Sequence, residues 1–273
     1  MRTLKDHTLL YDTECPLCKV YTSGFVKAKM LDQNGRQPFS KLKDDNLLYV
    51  DVQRASNEIA LVDTKSKTVV YGIDSILKVI GNSYPRIQRL GKVTSIYAIL
   101  KLMYAFISYN RKVIMPSERK MHTIECKPDF SVRYRLLYLL FAVMITMFIL
   151  YHFSGLVSEL PKATMVREFI LVVGQLIFQG LFFLRKDMKT YLNYCGNVMT
   201  VSLIGSLGLL QIIILNGLIP WTNLMILLSS LGVVGMMFFE HRRRIKLLEL
   251  PYYLSYTWIL YRVLVLAFIL NLL

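Results

Sequence analysis

Two cysteines three residues apart, Cys15 and Cys18, enclose Pro16-Leu17, and the carboxylate Asp12 stands three residues ahead of them. If a helix begins here, both thiols sit at its N-terminus, whose partial positive charge favours a thiolate. One thiolate attacks a disulfide, and the neighbour one turn away resolves the mixed disulfide, which is the chemical reason for a two-residue spacer. Cys15, nearer the helix start and expected to be the more exposed, is the attacker, and Cys18 resolves. Asp12 cuts two ways. It can accept the proton that Cys18 releases, but its charge, like that of Glu14, pushes thiol pKa values up, and Lys19 opposes that. Vestigial or structural thiols and metal binding compete with the redox reading. A zinc site needs two more ligands, and only His122 and Cys126, far downstream, are candidates. No cofactor or metal is expected.

The elements around the pair are legible. Thr8–Tyr11 is a short apolar run suited to a buried strand, and Asp12-Thr13-Glu14 is a turn. Apolar Val20, Phe25, Val26 and Met30 predict a helix ending near Asn34-Gly35. Pro16 suits its first turn, where its missing N–H would be unpaired anyway. Met1–Thr13 has no apolar run of export-signal length, so the pair is expected in a reducing compartment.

The segment Leu10-Tyr11-Asp12-Thr13-Glu14-Cys15-Pro16-Leu17-Cys18 resembles the signature of the DCC family of thiol–disulfide oxidoreductase-like proteins, a thioredoxin-related group. Further likenesses follow in order. Pro38–Leu42 resembles the family's second strand, Glu58–Asp63 with Thr68–Gly72 its central hairpin, and Gly72–Leu77 the start of its next helix. Tyr104–Arg111, with Tyr109-Asn110-Arg111, resembles its terminal helix and Asn-Arg element. The likeness covers roughly residues 8–115 and implies a thioredoxin-like α/β domain with Asp12, Cys15 and Cys18 as the catalytic site. Two departures stand out. Thr13 replaces a frequent Gly, and Ser56-Asn57-Glu58 has no Pro where thioredoxins place one facing the Cys pair.

Composition divides the chain. Of 273 residues, 54% are hydrophobic, and 33 Lys+Arg outnumber 18 Asp+Glu. That is more oil than a soluble domain carries, and it excludes disorder; four Cys in this length exclude a disulfide scaffold. Residues 134–273 contain long apolar runs, Tyr134–Leu156, Val166–Leu184, Val198–Ile219, Trp221–Phe239 and Leu254–Leu273. Each matches the roughly 20 residues that a helix needs to cross a bilayer, predicting an all-α bundle of five spans. Basic residues cluster before the first run (Arg111 to Arg135), after the second (Arg185, Lys186, Lys189) and after the fourth (Arg242, Arg243, Arg244, Lys246). By the positive-inside rule the N-terminal half is cytoplasmic and the C-terminus outside, in a bacterial inner membrane. The expected organisation is a thioredoxin-like domain at 1–115, a basic juxtamembrane linker at 116–133 and a transmembrane domain at 134–273.

Within the spans Arg262 stands out, about 12–15 Å deep at 1.5 Å per residue, where an arginine is costly and normally has a partner. Glu168, Glu240, Gln175, Gln179 and Gln211 are the candidates. A structural polar clamp, a transport or ligand site, and an interfacial helix over Pro251–Arg262 are the open readings. Cys195 reads as a packed small residue, His152 and His241 as solvated or capping groups. Apolar positions across Gly91–Asn110 predict a helix that closes the domain core, with a helix lying on the membrane surface as the alternative, and Lys101 and the length argue against a sixth span. The basic linker reads as topology signal and anionic-lipid attraction, not nucleic-acid binding. The expected function is a membrane-anchored thiol–disulfide oxidoreductase acting on a membrane-proximal protein partner. A non-enzymatic membrane scaffold with a docking domain and a transporter with a redox-regulatory domain are the alternatives.

Overall fold

The computed structural model describes residues 2–41, 49–118, 129–158 and 160–270. The chain divides into two compact units, Met1–Tyr134 and Arg135–Leu273.

The first unit is built on a four-stranded mixed sheet. Strands β1 (His7–Tyr11), β2 (Arg36–Pro38), β3 (Ala60–Asp63) and β4 (Thr68–Tyr71) lie in the order β2-β1-β3-β4. β1 runs parallel to β2, with Leu9 opposite Arg36, and antiparallel to β3, with Leu9 opposite Leu61; β3 and β4 form an antiparallel hairpin. Leu9, Leu10, Ala60, Leu61 and Val62 are all buried. Unbroken apolar runs of this kind belong to central strands covered on both faces.

Helix α1 (Pro16–Lys27) follows β1 directly. It stops short of the expected end near Gly35. Lys29 takes a left-handed φ of 53°, while Met30 N–H bonds to Phe25 O and Lys29 N–H to Val26 O. This is the paired 6→1 and 5→2 bonding of a Schellman stop. Gly35 instead delivers the chain to the sheet, its carbonyl accepting from Leu9 N–H. The expected second strand at Pro38–Leu42 is also displaced. The strand ends at Pro38, and Phe39–Lys41 is a 3₁₀ turn that buries Phe39; Leu42 lies outside the described residues.

Helix α2 (Val52–Asn57) leads into β3; after β4 come α3 (Gly72–Ser83), α4 (Pro85–Gly91) and α5 (Thr94–Ile114). Positions 97, 104, 108 and 111 share one face of α5, and that face closes the core. Tyr97 Oη donates to Asp74, Tyr104 Oη accepts from Ile59 N–H at 2.8 Å, and Ser108 Oγ donates to Asn57 O at 2.5 Å. The opposite face leaves Ile99, Leu102 and Met103 more than half exposed.

The second unit is all helix among its described residues: α6 (Val132–Ser154), α7 (Met165–Gly180), α8 (Met188–Leu218), α9 (Asn223–Leu247) and α10 (Tyr253–Ile269). Thr164, Asp187 and Thr222 cap three N-termini through their side-chain oxygens, satisfying donors that a helix start leaves open. Among the described residues four helices are long and apolar enough to cross a membrane, α6, α7 extended by a 3₁₀ turn to Phe183, α8 and α9; in the first unit α4 and α5 pass the same test only as a pair, bent by 87°. The expected fifth run forms only the 17-residue α10, about 25 Å long against a hydrocarbon core of about 30 Å; residues 271–273 lie outside the described part. α8 begins ten residues before the expected span and α9 runs through the basic cluster to Leu247. Arg135 and Arg244, read from sequence as loop charges, are therefore on helices and buried. Arg135 donates to Asn193 Oδ1, and Arg244 donates to Asn197 Oδ1 at 2.9 Å and Glu240 Oε1 at 2.7 Å.

Candidate functional site

The Cys pair sits where β1 hands over to α1, and Asp12 shapes the turn. Its Oδ1 accepts from Glu14 N–H at 2.8 Å and its carbonyl from Cys15 N–H at 3.3 Å. This local bonding is what short acidic side chains supply at turns. Cys15 is the N-cap of α1, its Sγ accepting from Cys18 N–H at 3.3 Å, and Pro16 takes the first helical position. Sulfur thus occupies the place usually held by a Ser or Asp oxygen. Thr22, fully buried, donates its hydroxyl to Cys18 O and fastens the first turn from below. Both thiols are free.

The two thiols are driven apart electrostatically. Cys15 is lowered from 9.0 to about 7, first by the hydrogen bond from the Cys18 thiol, then by the Cys18 N–H and the Arg111 charge, against burial and Asp12. Cys18 is raised because it donates to Cys15 and is buried. A nucleophile near neutrality beside a held-back proton is the division of labour that a resolving pair needs.

Arg111, expected from sequence only as part of an Asn-Arg element and as a topology charge, joins the Cys site. It projects from α5 to place Nη2 3.7 Å from Asp12 Oδ2 and 2.9 Å from Ser56 O. Asp12 and Arg111 are both about 5% exposed. Arg111, rather than Lys19, is the cation that acts on both thiols. The signal for it in the sequence is the resemblance of Tyr109-Asn110-Arg111 to the family's Asn-Arg element, which does not say that the arginine reaches Asp12. The segment around Ser56, where a Pro is missing, is thereby pinned by a guanidinium instead. A cavity of about 10 Å³ between Cys18, Asp12, Glu58, Ile59 and Arg111 is close to the smallest space that holds one water.

One expectation is corrected. Cys15 is 4% exposed and Cys18 6%, so the attacker is not the more open thiol. Ser117, beyond the end of α5, donates its hydroxyl to Glu14 O, which lays that segment against the Cys turn.

The other sequence candidates fall in the second unit or outside the described residues. Cys195 is buried as a packing residue. His241 is neither solvated nor a cap. It is 1% exposed, with Nδ1 3.1 Å from Ser255 Oγ, Nε2 3.3 Å from Tyr194 Oη and its ring stacked on Trp258. Arg262 lies over the Trp258 ring, Cζ 4.2 Å from the centroid. None of its expected carboxylate partners reaches it: Glu168 is bound by Arg167 and Ser154, and Glu240 by Arg243 and Arg244. His122 and Cys126 lie outside the described residues, among which no cluster of three or more His, Cys, Asp or Glu side chains is placed to hold a metal ion. Comparison with known proteins finds no matching family model, no matching curated relative and no matching solved structure.

Proposed function

We propose that this protein is a membrane-anchored thiol–disulfide oxidoreductase whose first unit is a thioredoxin-like domain of the DCC type, working on a protein partner at the cytoplasmic membrane surface. The observation that carries the reading is the geometry of the pair: Cys15 Sγ caps α1 and accepts from Cys18 N–H at 3.3 Å, with Arg111 paired to Asp12 behind it, an arrangement that favours the Cys15 thiolate. Support comes from the strand order β2-β1-β3-β4 with the pair at the start of the helix after β1. Four helices fit to cross a bilayer support the anchor, and the clustering of basic residues at alternate ends of the apolar runs supports a cytoplasmic first unit.

In the reductive direction the Cys15 thiolate attacks one sulfur of the partner's disulfide. A Cys15–partner bond forms, the partner's S–S bond breaks, and the freed thiolate takes a proton. Cys18 then loses its proton, for which Asp12 is the nearby acceptor in charge and position, and attacks Cys15 Sγ. The partner leaves as a dithiol and the pair is left oxidised, two electrons having passed to the partner; a cellular thiol restores the pair.

The burial of both thiols favours a second reading, a docking module without turnover. One experiment separates the two. The full chain carrying Cys18→Ser is expressed in its membrane, quenched with acid and alkylating reagent, and searched for Cys15-linked mixed disulfides by non-reducing gel and mass spectrometry. A discrete adduct that disappears with Cys15→Ser is expected. No adduct, together with function retained in a Cys15→Ser, Cys18→Ser double variant, establishes the docking reading.

A further inference from the structure

A half-open cavity of about 230 Å³ lies between α6, α7, α8, α9 and α10 of the second unit, independent of the thiol chemistry. Its walls are largely apolar, with Leu150, Val172 and Leu209 among them, yet three polar side chains at its edge are unsatisfied. Gln175, 4% exposed, has no hydrogen-bond partner at either Oε1 or Nε2, and Thr146 Oγ1, on an equally buried residue, has none. Arg262, half-buried, has a buried Nε with no hydrogen-bond partner, and its guanidinium lies over the Trp258 ring; among the described residues no carboxylate pairs with it. The remaining charges on the wall, Arg167 and Glu168, neutralise each other. The lining therefore carries one net positive charge.

An unpaired cation and an unpaired amide inside an apolar bundle are each costly. An apolar cavity with nothing to offer stays empty, whereas one with convergent polar groups is a ligand site. We infer that the cavity binds the head of a single-chain anionic amphiphile, a carboxylate or phosphate group on an acyl or alkyl tail. The anion pairs with Arg262, Gln175 Nε2 and the Thr146 hydroxyl donate to it, and the tail lies along the apolar wall. The volume falls below the range of about 300–1,000 Å³ typical for whole drug-sized ligands, in keeping with a head group and the first part of a chain.

The test uses the full-length protein, stripped of lipid in a neutral detergent, and displacement of a fluorescent fatty acid. The competitors are dodecanoate, dodecyl phosphate, dodecanol and acetate. Dodecanoate or dodecyl phosphate is expected to compete saturably, at least about tenfold more tightly than dodecanol or acetate. Whichever anion binds better identifies the source as a free fatty acid or a phosphorylated lipid. Arg262→Gln is expected to weaken it by about tenfold or more. Equal binding of dodecanol, no binding of either anion, or unchanged affinity in a monodisperse Arg262→Gln protein overturns the proposal. If that variant does not fold, Gln175→Leu with Thr146→Val takes its place, and unchanged affinity there overturns it equally.

Discussion

Two arginines, one in each unit, are treated in opposite ways: Arg111 is buried, whereas Arg262 is only half-buried. Arg111 reaches a carboxylate, Asp12, and a backbone carbonyl, Ser56 O, and its neighbours are bonded in turn. Arg262 reaches only the face of Trp258 and borders a cavity with an unsatisfied Gln175. A buried charge that is paired and hydrogen-bonded belongs to a finished structure; one that is not awaits a partner. The arginine of the first unit thus has a carboxylate beside it, although Asp12 Oδ2 itself accepts no hydrogen bond, while among the described residues that of the second unit has none.

The strongest way to break this contrast is to remove each arginine from the full chain. Arg111→Met leaves Asp12 charged and unpaired, so the first unit should lose about 3–5 kcal/mol. Arg262→Met abandons no anion and should change the stability of the second unit by less than about 1 kcal/mol without ligand. Pulse proteolysis in neutral detergent, reading cleavage in each unit separately, measures both. Equal losses would make Arg262 a clamp of the same kind as Arg111.

Next in size is the titration of Cys15. Only the thiolate alkylates, so the rate rises with pH and levels off above the pKa; a lowered pKa brings that rise down to about pH 7. Cys18→Ala removes the strongest cause of the lowering and moves the rise towards 9.0. At pH 7 the alkylation of Cys15 should slow by roughly tenfold for each unit of upward shift. Timed iodoacetamide labelling with mass spectrometry reads it, and an unmoved profile removes Cys18 as the cause.

The smallest pair compares hydroxyls. Ser108→Ala deletes a donor to Asn57 O and should cost the first unit about 1 kcal/mol. Thr146→Val deletes a hydroxyl that has no partner, so the second unit should be unchanged or more stable by up to about 1 kcal/mol. The same proteolysis assay measures both, and a loss in Thr146→Val would mean that the site is already satisfied.

Much of this was readable beforehand because it is local. The strand at Thr8–Tyr11, the helix start at Pro16 and the hairpin before Gly72 rest on neighbours within a few residues. Where reading failed, a short-range cue was overruled. Gly35 looked like the helix stop, but the backbone closed six residues earlier with Lys29 in the left-handed region, a conformation that a lysine rarely takes. The basic cluster after Phe239 looked like a loop, but the helix continued because Arg244 found Asn197 and Glu240 inside the bundle.

By itself the sequence determined that a Cys pair opens a helix next to a strand, and that several helices are apolar over the length of a bilayer. Residue spacing and run length carry that information directly. Only the tertiary structure decided that Arg111 closes on Asp12 behind the thiols, that both thiols are covered, and that Arg262 meets an indole rather than a carboxylate. Those pairings depend on which helix faces meet, and facing residues lie far apart along the chain with no periodicity to announce them.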